Sequence, residues 1–493
     1  MVLLFQVSSN VLSGLTHIDA DLVSRGDLAE SWEVFSGGTE YVFKLRQGVT
    51  FHNGDSFTAD DVLYTYNRSK NPDNSIHSRV LNNVQSVEKV DSHTVRFKLG
   101  KPQASFLTKT LERASGRAMT IVSQGAIESM GTAQYGLTPV GTGPFKVTEH
   151  TLGQGVVLEK FENYYDPERP KLDKVTITPI NEAEPLAAAL EAGDIQLIGG
   201  NPVAPELVDR FVENPDIVVN EIAGPGFQSV WLNPWRDPFK VPDFSKPVSE
   251  LMKENGFKVR LAIAKGLDRD RYIKQAQFGR AIPAYGTINP AMGFYFDKTL
   301  PETSGQRYDL EEARQLLADA GYPDGKGFPE LHLICTATAK REVTVIANIL
   351  KKNLNITVKP AVKDWPVLLE HFQKMDFDML RVGSGGDYDP DDGVVDWMQT
   401  SSKFNGRNRD KEKMPFGFFS DPEVDALIAE QSAMADIEKR RDIIHKVDRL
   451  TSDKVASVFL YHPKDILVHH KSVNFPAVSR IPGLVDLVRT TFS

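Results

Sequence analysis

Cysteine is all but missing. Cys335 is the single thiol in 493 residues, which excludes an internal disulfide and any multi-thiolate metal site. So low a thiol content suits an oxidising compartment without proving one. Long apolar runs are absent too, since nothing approaches the roughly 18–20 residues a membrane-crossing helix needs. Met1-Val2-Leu3-Leu4-Phe5 is apolar but lacks a basic lead, an extended hydrophobic region and an A-x-A cleavage pattern, so it does not read as a signal peptide. Positive charge is not in excess. A net charge of −9 and a pI near 5.7 argue against a nucleic-acid or anionic-membrane surface.

Catalytic and nucleotide-binding motifs are lacking as well. Gly321-Tyr322-Pro323-Asp324-Gly325-Lys326 has the wrong spacing for a P-loop and runs into Gly327, where Ser or Thr would be needed. Val382 stands where a G-x-S-x-G nucleophile elbow around Ser384 requires glycine. The eleven histidines include no H-E-x-x-H pair. His469 and His470 are adjacent on a strand-like stretch and face opposite ways, which favours a surface pair over two ligands of one metal. No nucleophile–base signature is found, and neither a cofactor nor a metal is expected.

What is there begins with length: two or three domains of roughly 100–200 residues each are expected. A hydrophobic share of 41% with 25% charged residues is that of a water-soluble globular chain. Tyr41, Phe43 and Leu45 alternate with polar or outward residues, as do Val95, Phe97 and Leu99; this is the pattern of strands with one face on a core. Asn53-Gly54-Asp55 marks a turn. Thr58 is placed to cap a helix from Ala59, with Asp60 and Asp61 in its first turn. The first third therefore reads as a strand-rich α+β unit. Strands at Val156–Leu158 and Val175–Ile180, a helix from Glu182 to Ala192 closed by Gly193, and a strand at Ile195–Ile198 follow as an α/β region. The later half adds a helix capped by Asp309, a strand at Leu331–Ile334, a helix from Glu342 to Asn353 and a strand at Ile356–Val358. Two more helices, from about Ser420 and Ile437, precede a strand at Ser457–Tyr461. No internal repeat or low-complexity linker interrupts this order.

The β-α-β succession leads into Arg381-Val382-Gly383-Ser384-Gly385-Gly386-Asp387-Tyr388-Asp389-Pro390-Asp391-Asp392. Glycines would let backbone groups approach a ligand, Arg381 can grip a carboxylate, and Asp387 can accept from an amine. Asp387, Asp389 and Asp391 fall at calcium-loop spacing, yet Asp392 takes the glycine position and Met398 the bidentate glutamate position. A solvated acidic turn is the plainer reading; the glycines and Arg381 favour the floor of a ligand site. Trp32 and Trp397 read as packing residues. Trp365, ahead of a helix, reads equally as packing or as an aromatic wall for a ligand.

The run SWEV…YVFKLRQGVTFHNGDSFTADDVLYTYNR closely resembles the signature of bacterial extracellular solute-binding proteins of family 5, the peptide- and nickel-type binding subunits of ABC importers. GTGPFKV, FENYYDPERPKLDKVTI, AALEAGDIQLI, FKVRLAIAKGLDRDRYI, YDLEEARQLLADAGYPDG and GDYDPDD agree with it in order, from about Val11 to beyond Tyr461. The resemblance implies an α/β, two-lobed periplasmic binding protein fold of type II with an extra third domain. It divides the chain into lobe I at 1–15, the extra α+β domain at 16–118, lobe I again at 119–224, lobe II at 225–463 and a return to lobe I at 464–493. It also implies a non-enzymatic, monomeric protein of the periplasm or cell surface. Such a protein captures a small polar solute, above all a short peptide or amino-acid conjugate, by hinge closure and presents it to an ABC permease.

By the same resemblance, Asp387 pairs with a ligand's α-amino group, Arg381 approaches the cleft, Trp365 lines a side-chain pocket and Tyr461 borders it. Ser384, Gly385 and Tyr388 complete the expected ligand-binding set. Oligopeptide binders have tryptophan and cysteine where Ser384 and Gly385 stand here, which implies a less aromatic floor and a lost disulfide. Relatives also carry a further stretch ahead of Gln6–Leu15, with the export signal, a core strand and a peptide-pairing segment, so this chain is expected to be truncated or to have its start placed late. A sugar, opine or nickel chelate on the same scaffold, or a hydrolase, are the alternative functions.

Overall fold

The computed structural model describes residues 2–19, 23–75, 78–112, 118–199, 203, 205–385, 389–402, 404–406, 409–434, 436–474 and 487–492. The chain divides into two compact units. One comprises Met1–Ile222, Ala433–Ala435 and Asp465–Ser493, the other Ala223–Ser432 and Asp436–Lys464.

In the first unit, Ala29–Phe35, Glu40–Leu45, Thr94–Leu99 and Val84–Asp91 form a four-stranded antiparallel sheet in that order. The alternation read from the sequence is the reason: Tyr41, Phe43, Leu45, Val95, Phe97 and Leu99 all turn into one core, with Phe106 between the rings. The helix Ala59–Lys70 begins at a full capping box. The Thr58 hydroxyl accepts from the Asp60 N–H at 3.3 Å, and the Asp61 carboxylate accepts from the Thr58 N–H at 3.0 Å. Trp32 packs partly buried on this core. A three-stranded antiparallel sheet, Phe145–Thr151, Gly155–Lys160 and Lys174–Ile177, has its own core with Val11 and Leu467. The apolar start, which had no assigned structure, is the helix Val2–Val11.

In the second unit the strands run in the order Ala281–Pro283, Val458–His470, Phe227–Leu232, Met379–Ser384, Leu331–Cys335 and Val358–Val362. Met379–Ser384 and Val358–Val362 flank Leu331–Cys335 in parallel, and Phe227–Leu232 is antiparallel to Met379–Ser384. Helices Leu310–Asp319 and Lys340–Leu354 lie where their apolar stripes placed them, burying Ala313, Leu316, Leu317, Val343, Ile346 and Ile349. Trp397 stacks between Trp231 and Phe404 at 5.5 and 5.0 Å, as expected of a packing residue.

Three local expectations are corrected. The strand placed at Ile356–Val358 starts at Val358, because its register pairs Leu331 with Val358 and Cys335 with Val362. The strand expected to end at Tyr461 continues through Pro463 to His470; the second half, from Asp465, lies in the first unit. His469 is not a surface residue: it is buried, with its ring at 3.2 Å from the Asn220 amide.

Candidate functional site

Leu331–Cys335, Val358–Val362 and Met379–Ser384 end at the same edge of the second unit's sheet, and the carboxyl ends of parallel strands are where open α/β sheets bind ligands. Trp365 opens the helix Trp365–Lys374 just past one of these ends, with Pro366 in the first turn. Trp365 is 54% exposed, and its near neighbours in sequence Val362 and Val367 are exposed as well. An uncovered tryptophan is unusual enough to weigh toward contact with a ligand over internal packing.

Arg381 lies within Met379–Ser384 and points into a polar cluster. Its Nε and Nη2 donate to Oε2 of Glu342 at 2.9 and 2.6 Å, and Nη2 also donates to the Tyr461 hydroxyl at 2.9 Å. Tyr461 in turn donates to the other Glu342 oxygen at 3.2 Å, and Tyr272 donates to Oε2 at 2.9 Å. Burial works against the Arg381 charge, but the neighbouring Tyr461 and Glu342 outweigh it and hold its pKa above the ordinary value. Burial pushes the Tyr461 and Tyr272 hydroxyls up, so both stay protonated donors. Arg381 and Tyr461 are thus brought together. Glu342, which sequence reading passed over, joins them; an acid in a helix's first turn ordinarily reads as a dipole partner.

The glycines differ in role. A Cβ on Gly383 would sit 2.0 Å from the Phe227 carbonyl oxygen, and one on Gly226, at φ +129°, 2.5 Å from that of Ser384. Close strand pairing, not ligand approach, therefore accounts for Gly383. Gly385 is exposed, and a side chain there would meet nothing within 4 Å among the described residues. Ser384 is partly exposed at the strand's last position. Gly386, Asp387 and Tyr388 lie outside the described residues.

The acidic run beyond them is not a solvated turn. Asp389 and Asp391 are buried on Arg440 of the helix Ile437–Asp453. Nη2 and Nη1 grip the two Asp389 oxygens at 2.5 and 3.1 Å, and Nη2 reaches Asp391 at 3.2 Å. Gln431 bridges, accepting from Arg440 Nε at 3.0 Å and donating to Asp391 at 2.6 Å. With a guanidinium filling the space between these carboxylates, they are not disposed as calcium ligands. Among the described residues, no group of three or more His, Cys, Asp or Glu could hold a metal ion. Cys335, buried at its strand's end, has its thiol pKa raised by burial, the opposite of an activated nucleophile.

The family model described as bacterial extracellular solute-binding proteins, family 5 middle, matches residues 24–406. The oligopeptide-binding protein AppA of Bacillus subtilis (strain 168) is 26% identical over 474 residues, covering 93% of this chain and 82% of AppA. The glutathione-binding protein GsiB of Salmonella typhi is 30% identical over 322 residues, 65% of this chain. The chain spans 57% of that relative's length. Among solved structures, the periplasmic binding protein DppA of Helicobacter pylori in complex with peptide STSA superposes with a TM-score of 0.76 at 24% identity, covering 99% of this chain and 93% of DppA.

Proposed function

This chain belongs to the bacterial extracellular solute-binding proteins of family 5, and on that premise we propose that its cargo is a short peptide or amino-acid conjugate bound at the carboxyl ends of the second unit's parallel strands. Proteins of this family are the non-enzymatic, solute-capturing components of ABC importers. The observation that carries the choice of site is the gathering of exposed Trp365 and Gly385 and partly exposed Ser384 with the Arg381–Glu342–Tyr461 cluster at one sheet edge.

Charge supports the choice of cargo. Arg381 is already neutralised by Glu342, so this pair adds no net charge for a ligand carboxylate to seek. Asp387, the acid of the same segment, is then the group left to meet an ammonium; a carboxylate buried by ligand needs such a partner. Tyr388 is the remaining contact in the proposed set. The proposed closing motion bends the strands Ile217–Ala223 and Val458–His470, within which the chain passes from one unit to the other. The proposed division keeps residues 16–118 as an extra domain, 1–15, 119–224 and 464–493 as lobe I, and 225–463 as lobe II. The protein is proposed to act as a monomer in the periplasm or at the cell surface. Among the described residues, no helix is long and apolar enough to cross a membrane.

The test starts from mass spectrometry of the solute released on denaturing the purified protein, followed by titration of that solute. An amine-bearing peptide or conjugate is expected, and Asp387→Ala should weaken its binding at least tenfold, since truncating one side of a buried charge pair costs about 2–5 kcal/mol. An unchanged affinity would remove Asp387 from the site. A sugar or a metal chelate in the released fraction would overturn the choice of cargo.

A further inference from the structure

The first unit contains a cavity of about 530 Å³, bordered by Tyr164, Tyr165, Arg46, Arg169 and Arg489, and it belongs to none of the machinery described so far. Small-molecule sites commonly enclose about 300–1,000 Å³. We propose that this cavity is a second binding site, for a small organic anion carrying a carboxylate or a phosphate.

Three aspartates also line it, Asp19, Asp27 and Asp166, but their carboxylates are engaged by donors of the protein. Asp27 accepts from the Gly14 N–H at 3.1 Å and from the Tyr165 hydroxyl. Asp19 accepts from the Val23 N–H at 2.9 Å and from Arg25 at 2.7 Å. Asp166 accepts from the Glu168 N–H at 3.0 Å. These contacts occupy both oxygens of Asp27 and of Asp19, and one of Asp166.

Arg46 and Arg169 stand differently. Arg46 is held by its Nε, which donates to the Asp27 carbonyl at 3.2 Å, and by the Tyr165 ring, 4.9 Å below its guanidinium. Its nearest carboxylate, Glu30, is 3.8 Å from Nη1, and the nearest to Arg169, Asp166, is 3.7 Å away. Both distances exceed hydrogen-bond reach. Among the described residues, the terminal nitrogens of Arg46 and the whole Arg169 side chain thus donate no hydrogen bond. Forked donors held over an aromatic ring are suited to two-pronged capture of a carboxylate or phosphate. The adjoining Tyr164 and Tyr165 rings, with centroids 4.4 Å apart and planes tilted by 43°, offer carbon surface to the ligand's body.

Calorimetric titration of the full chain with succinate and, separately, with glycerol 3-phosphate tests this at physiological salt. Saturable one-to-one binding of at least one probe is expected, and which one binds distinguishes the carboxylate from the phosphate source. Arg169→Gln should weaken it at least tenfold, and that variant is expected to fold because the side chain it removes is half-exposed and makes no hydrogen bond among the described residues. Arg46→Gln should do the same, checked by an unchanged far-UV spectrum and melting profile. Absence of binding by both probes at millimolar concentration overturns the proposal, and so does binding that survives Arg169→Gln.

Discussion

Arg440 is a single side chain on which two acids depend. Buried with Asp389 and Asp391, it retains its charge: burial opposes it, but the two carboxylates outweigh burial and raise its pKa. Such a pair is weak evidence of net stabilisation, yet removing one partner leaves uncompensated charge in a low-dielectric interior. Arg440→Leu is therefore expected to cost about 3–5 kcal/mol, read from the urea midpoint by tryptophan fluorescence. A change below about 1 kcal/mol would mean that Asp389 and Asp391 find other donors. This role was not legible beforehand. In Ile437-Glu438-Lys439-Arg440-Arg441-Asp442, Arg440 reads as one of several charges on an amphipathic helix, and nothing local marks it as the inward one. Glu342 was hidden likewise, since its partner Arg381 lies 39 positions away.

At the level of elements, the pairing of Phe227–Leu232 with Met379–Ser384 holds one side of the candidate floor. Phe227 faces Ser384, and Gln228 faces Gly383. Adding a methyl at Gly383 forces the strands apart, because the nearest atom, the Phe227 carbonyl oxygen, and the Gln228 Cα are backbone with no rotamer to yield. Gly383→Ala should destabilise by about 1–3 kcal/mol and speed hydrogen exchange of the Met379–Ser384 amides. Gly385→Ala, whose added methyl meets none of the described residues within 4 Å, should leave the melting profile unchanged. Equal effects at the two positions would contradict the register. Strand alternation and helix caps were readable because their period and chemistry are local. The displaced Val358–Val362 strand and the continuation past Pro463 were not, since partner strands set both limits.

For the whole molecule, acid stability rests on buried titratable groups in both units. His52 in the first unit and His462 in the second are each brought down to about 4, chiefly by burial. Each ring is held neutral, His52 between the Gly143 carbonyl at 2.9 Å and the Gly141 N–H at 3.2 Å, His462 against the Gly226 carbonyl at 2.9 Å. An unfolded histidine protonates near 6.5. Between pH 6.5 and about 4 the unfolded chain therefore takes up protons that the native rings refuse, and stability falls as pH falls. Each ring accounts for at most about 3 kcal/mol. Asp448 acts in the opposite sense: burial raises its carboxyl to about 6 from 3.8, so its contribution is present in acid and lost as pH rises to about 6. His52→Gln and His462→Gln should each flatten the fall in stability between pH 6.5 and 4, followed by urea unfolding at stepped pH. An unaltered slope in both variants would show that neither ring is neutral in the native state.

Residue order alone determined the class of the fold and the family, because hydrophobic period, caps and collinear motifs are properties of neighbouring residues that survive without knowledge of their distant partners. Tertiary structure decided which charges are spent inside the protein. Arg381 turns to Glu342, Asp389 turns to Arg440 across 51 positions, and Gly383 serves a strand instead of a ligand. Those outcomes depend on sheet register and on which helix face meets the sheet. Both are settled by burial summed over the whole chain, and no local stretch encodes them.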